Sequence, residues 1–217
     1  VVIALSGLGR LVGDEARPAF ESKVRDLLQP ALAELGEPQA DQSDLTAKLR
    51  GLLLNTAGVL GNDEFVIGLC RDLLAQPVDQ VDPEMVAAAT SVVAAHGGAE
   101  DFERLQNGFL TASTPQEQLR QLYALAEFDN ADLIARTCDF ALTSEVKTQN
   151  APFLLNRCIA NRKHGEQAWN FVTLNPAKAL HVADKVGSIK VGKDADLVLW
   201  TDNPLSIYAK TLYTIVD

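Results

Sequence analysis

The amino-acid sequence predicts a mainly α chain: antiparallel helix pairs stacked as a HEAT/armadillo-like α-solenoid, with a short C-terminal β segment of two or three strands. Three observations carry that expectation. From Val1 to about Val172 apolar residues recur at spacings of three and four, which places them on one face of successive helices. The links between these stretches are short, and a helical hairpin cannot bury both of its faces alone, so hairpins stack. After Val172 the pattern changes to glycine-punctuated pieces and unbroken apolar runs.

Boundary signals justify the elements in order. They predict helices over Val2–Val12, Arg17–Leu35, Ser43–Val59, Asp63–Ala75, Pro83–Ala95, Glu100–Phe109, Pro115–Ala126, Ala131–Leu142, Pro152–Asn161 and Gly165–Leu174. Asp82-Pro83-Glu84 sets a capping carboxylate before a proline whose missing N–H has no helical partner anyway. Thr114-Pro115-Gln116-Glu117 adds a glutamate placed to close a capping box. Gly36, Gly61 and Gly97-Gly98 follow apolar stripes, as left-handed C-terminal caps do. The polar stretch GEPQADQSD reads as a surface loop rather than a domain boundary.

The tail follows other rules. Asn175-Pro176 reads as a fresh helix start of about two turns. Gly187, Gly192 and the GKDAD turn then bracket short extended pieces, among them Leu197–Trp200 (LVLW) and Leu212–Val216 (LYTIV), rich in residues that suit a pleated sheet. Two or three such strands need a partner surface.

Composition narrows the function. Hydrophobic content of 47% and charged content of 22% are those of a globular chain. A net charge of −10 without any Lys/Arg cluster repels a phosphate backbone, which argues against nucleic acid. No apolar run reaches the roughly 18 to 20 residues of a membrane span. Cys70, Cys138 and Cys158 are odd in number and lack CxxC spacing, so they read as reduced core thiols in a cytoplasmic setting. The opening at Val1 and the end at Asp217 read as those of a fragment.

No catalytic, cofactor-binding or metal-binding set is predicted within the chain. A zinc peptidase site needs two histidines one helical turn apart with a glutamate between them. Here His96, His164 and His181 stand alone. His96 is expected to cap a helix end, His164 to lie on the surface of a connection, and His181 to follow a short helix. Ser6-Gly7-Leu8-Gly9 sits in a helical pattern, where its glycines suit close packing rather than a nucleophile elbow or phosphate loop. Asp63-Glu64, Glu100-Asp101 and Asp194/Asp196 fall at helix starts or in a turn, as dipole complements and turn residues do. Trp169 is expected in the helical core.

Particular phrases then carry two resemblances. Lys147–Val172, KTQNAPFLLNRCIANRKHGEQAWNFV, resembles the last helices of the C-terminal domain of gluzincin zinc aminopeptidases, the aminopeptidase N and endoplasmic-reticulum aminopeptidase group. SGLGRL, VRDLLQPALAELG, SDLTAKLRGLLLNTAGVLGND and STPQEQLRQLYALAEF are similar to that domain too, so the likeness covers residues 1–172. It implies a bowl of HEAT-like helix pairs that is non-catalytic, closes over the catalytic domain and shapes the peptide cavity. The zinc is then held in the catalytic domain, and the partners are that domain and peptide substrates.

From Thr173 onward the wording resembles the C-terminal end of amidohydrolase-superfamily hydrolases, at Asn175-Pro176-Ala177, Gly187-Ser188-Ile189 and Gly192-Lys193-Asp194-Ala195-Asp196-Leu197-Val198. There it implies a helix returning to a small β-sandwich, with the metal ligands in a barrel that this chain lacks. The chain reads as chimeric, with a helical-repeat domain over 1–172 and an amidohydrolase-like segment over 173–217. The alternatives are a fragment of a metal-dependent amidohydrolase and a free-standing scaffold binding a peptide or protein.

Overall fold

The computed structural model describes residues 1–39, 42–77, 80–179, 197–200 and 211–215, with side chains up to Thr173. Among the described residues ten helices run in order: α1 (Val2–Leu11), α2 (Arg17–Leu35), α3 (Asp44–Val59), α4 (Glu64–Ala75), α5 (Pro83–Ala95), α6 (Ala99–Thr111), α7 (Pro115–Ala124), α8 (Ala131–Phe140), α9 (Ala151–Ala160) and α10 (Gly165–Ala179). Two short strands follow, β1 (Leu197–Trp200) and β2 (Thr211–Ile215). The chain divides into two compact units, Val1–Gly165 and Glu166–Asp217.

Local chemistry accounts for the helix starts in the first unit. Ser43, Asp63, Asp82, Thr114 and Asn130 each accept hydrogen bonds from the first-turn amides of α3, α4, α5, α7 and α8. The main packing joins helices from α2 to α9 to their next or next-but-one neighbours: α2 with α3, α3 with α4 and α5, α4 with α5, α5 with α6 and α7, α6 with α7, α7 with α9, and α8 with α9. That neighbour-to-neighbour pattern is the packing of a helical-repeat array.

Helix α5 is the axis of the first half. Met85, Val86, Ala88, Ala89, Thr90, Val92, Val93 and Ala94 are all buried, so it is covered on nearly every side. Small residues let α3 close on it. A Cβ at Gly58 would lie 2.6 Å from both Val92 methyls, and one at Gly51 would lie 2.8 Å from the Glu84 carbonyl oxygen. In the second half aromatic rings fill the gaps: Phe102 meets Phe128 edge-on at 5.4 Å, and Phe109 meets Phe140 at 5.6 Å.

Three expectations change. The C-terminal β segment is corrected to a single antiparallel ribbon, Leu197 opposite Ile215 through Trp200 opposite Thr211, with a register shift between Leu199 and Trp200. Among the described residues no third strand joins it, and two strands of four and five residues form no β layer, so the chain is mainly helical. Asn175-Pro176 does not start a new helix: α10 runs through it to Ala179, because one proline removes a single amide donor and the later turns still form. The expected join at Val172–Thr173 therefore falls inside α10. After α3 the positive φ belongs to Asn62 (46°) rather than Gly61, while Gly36 has φ 53° as expected of a cap. Gly61 instead allows close approach, since a Cβ there would lie 2.6 Å from the Ala57 oxygen. Among the described residues no helix is long and apolar enough to cross a membrane.

Candidate functional site

From α2 through α8, no helix has a basic residue in its own last turn. The last carbonyls of a helix carry partial negative charge and lack intrahelical donors. Side chains from neighbouring helices supply those donors. Arg17 of α2 donates to Gly9 and Val12 at the end of α1. Arg50 of α3, only 5% exposed, donates to Gly36 and to Leu35 (3.0 Å) at the end of α2. Arg25 donates to Gly61, and the His96 ring lies 2.8 Å from the Gly58 oxygen, both at the end of α3. Because that acceptor is a carbonyl, Nε2 of His96 carries the proton. Asn161 donates to Ala126 and Phe128, just past α7.

Arg17, His96 and Asn161 line a cleft of about 740 Å³ in the first unit, walled by α1, α2, the ends of α3 and α5, the corner after α7 and the link after α9. Both cations and carboxylates line it. Arg162 pairs with Asp14 at 3.1 Å, joining the link after α9 to the loop after α1. Asp129 is held by Lys163, and His164 Nε2 lies 3.3 Å from its other oxygen at an angle that makes no hydrogen bond. Glu21 accepts from the Asn62 amide at 3.4 Å.

Burial sets the local electrostatics. Desolvation pushes the Arg17 guanidinium below its ordinary value and Arg162 adds to that, while Glu21 and Asp14 oppose it. Desolvation likewise raises the Glu127 carboxyl, against the pull of Arg157, 3.8 Å away, and of Arg10. The cleft thus offers a wall of fixed hydrogen-bond donors and acceptors. Its histidine is engaged with backbone, and among the described residues no group of three metal-binding side chains forms.

The residues singled out in the sequence fall into place as follows. His96 ends α5 but caps α3, the neighbouring helix. His164 is largely covered rather than on the surface, with its backbone amide bonded to Asn161 Oδ1 at 3.1 Å. Asp63 caps α4, and Asp101 accepts from the Gly98 amide and pairs with Arg104. A Cβ at Gly9 would lie 3.4 Å from carbons of Phe20 and Leu60, so that glycine suits close packing, whereas nothing lies within 4 Å of one at Gly7. Trp169 is 49% exposed and outside the core, because the buried position of that turn belongs to Ala168. His181, Asp194 and Asp196 lie outside the described residues. All three cysteines are free and buried. Sequence reasoning missed the clamping arginines, although Arg50 carried a signal: it stands on the stripe of Ala47, Gly51, Leu54 and Gly58, where a charge has no place unless it is bonded.

The model of the family described as the ERAP1-like C-terminal domain matches residues 1–189, past the Val172 limit expected from the wording. The chain is similar to aminopeptidase M1-A of Oryza sativa subsp. japonica, 26% identical over 179 residues that cover 79% of this chain and 19% of that protein. It is similar to aminopeptidase M1 of Arabidopsis thaliana, 27% identical over 167 residues, 71% of this chain and 19% of that one. A shorter likeness, 54% identity over 43 residues, relates 20% of the chain to 10% of an imidazolonepropionase of Shewanella oneidensis. The chain thus spans less than a fifth of the plant aminopeptidases it matches.

Proposed function

The chain belongs to the ERAP1-like C-terminal domain family, and from that premise we propose that it is the non-catalytic C-terminal domain of a zinc metallo-aminopeptidase. In this reading it closes over the catalytic domain, which holds the zinc, and lines the cavity that receives the peptide. The observation that carries the reading is the polar cleft: donors and acceptors are fixed around about 740 Å³, with ring and guanidinium groups committed to backbone. Such a wall orients a peptide without reacting with it. The match to the plant aminopeptidases over most of this chain supports the same assignment.

The test joins the purified chain to the zinc-bearing domain of its parent enzyme. The chain alone is expected to hold no stoichiometric zinc and to leave aminoacyl-arylamides intact. Mixed with the catalytic domain, it should form a complex and alter turnover of peptides more than turnover of single aminoacyl-arylamides. Zinc-dependent turnover by the chain alone, or no association with the catalytic domain, refutes the proposal.

A further inference from the structure

Helices α2 and α4 both pack against α3, and between them lies a cavity of about 520 Å³ that shares no lining residue with the polar cleft. Its floor is apolar: Leu28, Leu54, Ala57, Val66 and Met85 all line it and are buried. Phe65 on its rim is 80% exposed. Two arginines also line it. Arg25 is half-buried and donates to the Gly61 oxygen. Arg50 is 5% exposed, and its terminal nitrogens donate to the backbone oxygens of Leu35, Gly36 and Glu37 and to the Gln42 amide oxygen, all neutral acceptors. Its Nε, equally buried, has no hydrogen-bond partner. A buried cation met by neutral acceptors, with one donor left over, favours an anion beside it.

We propose that this cavity is a binding site for a small amphiphile, a carboxylate joined to an unbranched aliphatic chain, with its head at Arg50 and its chain on the floor between α2 and α4. Sites for small ligands have this make-up: about 300–1,000 Å³, an apolar lining and a few polar groups that fix orientation. The aliphatic chain covers the apolar floor and gives the exposed Phe65 ring an apolar contact. The carboxylate accepts from the Arg50 Nε–H and balances the guanidinium charge. The acids nearby do not fill that role. Asp63 spends its carboxylate on the first amides of α4, and Asp26 and Glu37 are exposed, where water and salt screen them. An alcohol of the same length meets the floor without the charge, and an alkylammonium brings the wrong sign.

Met85 is the chain's single methionine, so the floor carries its own reporter. The folded full chain, isotope-labelled at the methionine methyl, gives one methyl signal, which is followed by NMR as monomeric octanoate is added at neutral pH. The expected result is a saturable shift of that signal, with octanol binding about tenfold more weakly or worse and octylamine leaving the signal in place. Ala33→Trp, at an exposed position that lines the cavity, fills it from the outside and should abolish the shift with the thermal midpoint nearly unchanged. Arg50→Met should weaken octanoate about tenfold or more where circular dichroism shows the variant folded; the ligand series on the unaltered chain decides the matter without it. A Met85 signal that octanoate does not move, octanol or octylamine binding as tightly as octanoate, or Ala33→Trp titrating like the unaltered chain overturns the proposal.

Discussion

Replacing Gly58 by alanine tests whether the approach of α3 to α5 is set by that missing side chain. The new Cβ would lie 2.6 Å from both Val92 methyls and 3.2 Å from its Cβ. Carbon pairs prefer about 3.5 to 4.0 Å, so both contacts fall roughly 1 Å short. Val92 is fully buried, and a valine in a helix has essentially one rotamer, which leaves it no escape. The helices must separate. Overpacking of this kind costs about 1–3 kcal/mol. Separation also strains the His96 bond to the Gly58 carbonyl, worth about 1 kcal/mol. A gain of up to about 1 kcal/mol from alanine's helix propensity offsets part of this. The net loss is about 1–3 kcal/mol, which lowers a urea midpoint by about 1 M at a slope near 2 kcal/mol per M. Gly68 on α4 is the control: nothing lies within 4 Å of a Cβ there, so Gly68→Ala should stabilise by about 0.5–1 kcal/mol. Val92→Ala should return part of the loss in the Gly58→Ala background, as coupled neighbours do. If Gly58→Ala and Gly68→Ala shift the midpoint in the same direction, the packing account is wrong.

Three further outcomes follow from other contacts. Arg50→Met keeps the apolar stem but strips the donors from the end of α2, and should cost roughly 3 kcal/mol in urea unfolding, with faster amide exchange in the last turn of α2 and little rescue by lysine. Trp169→Ala should cost less than about 1 kcal/mol, because the ring is half exposed. A core-sized loss would refute the observed placement. Glu127 titrates above its ordinary value in the folded chain, so its protonated form is the one folding favours. Its contribution is present below the ordinary carboxylate range and is lost as pH rises through the raised folded value. Glu127→Gln should therefore flatten the stability profile across that window and stabilise above it. An unchanged profile would contradict the burial that raises this carboxyl.

The helices were legible because their signals are local. Asp82-Pro83-Glu84 and Thr114-Pro115 name a helix start whatever surrounds them, and α5 and α7 begin there. What is decided by distant residues was not legible. Gly61 resembles a left-handed cap in the sequence, yet Asn62 takes the positive φ while Gly61 yields to the Ala57 carbonyl and the Arg25 side chain. Trp169 is of a type that cores favour, yet it is half exposed while its neighbour Ala168 is buried, a choice of side that residue type alone does not make. The cleft was the least legible feature, since Asp14 and Arg162 stand at opposite ends of the first unit and meet only once the array has curled.

The clamps at the ends of α1, α2 and α3 make neighbouring helices conditions for one another. Arg17 completes α1, Arg50 completes α2, and Arg25 with His96 completes α3. In a linear array the balance between the stability of single units and the coupling between neighbours decides whether it melts piecewise or at once. Here part of each unit's own backbone satisfaction resides in the coupling. A terminal helix pair that frays exposes bare carbonyls on its neighbour, so the loss propagates. Helix ends coupled in this way are expected to open together rather than one by one.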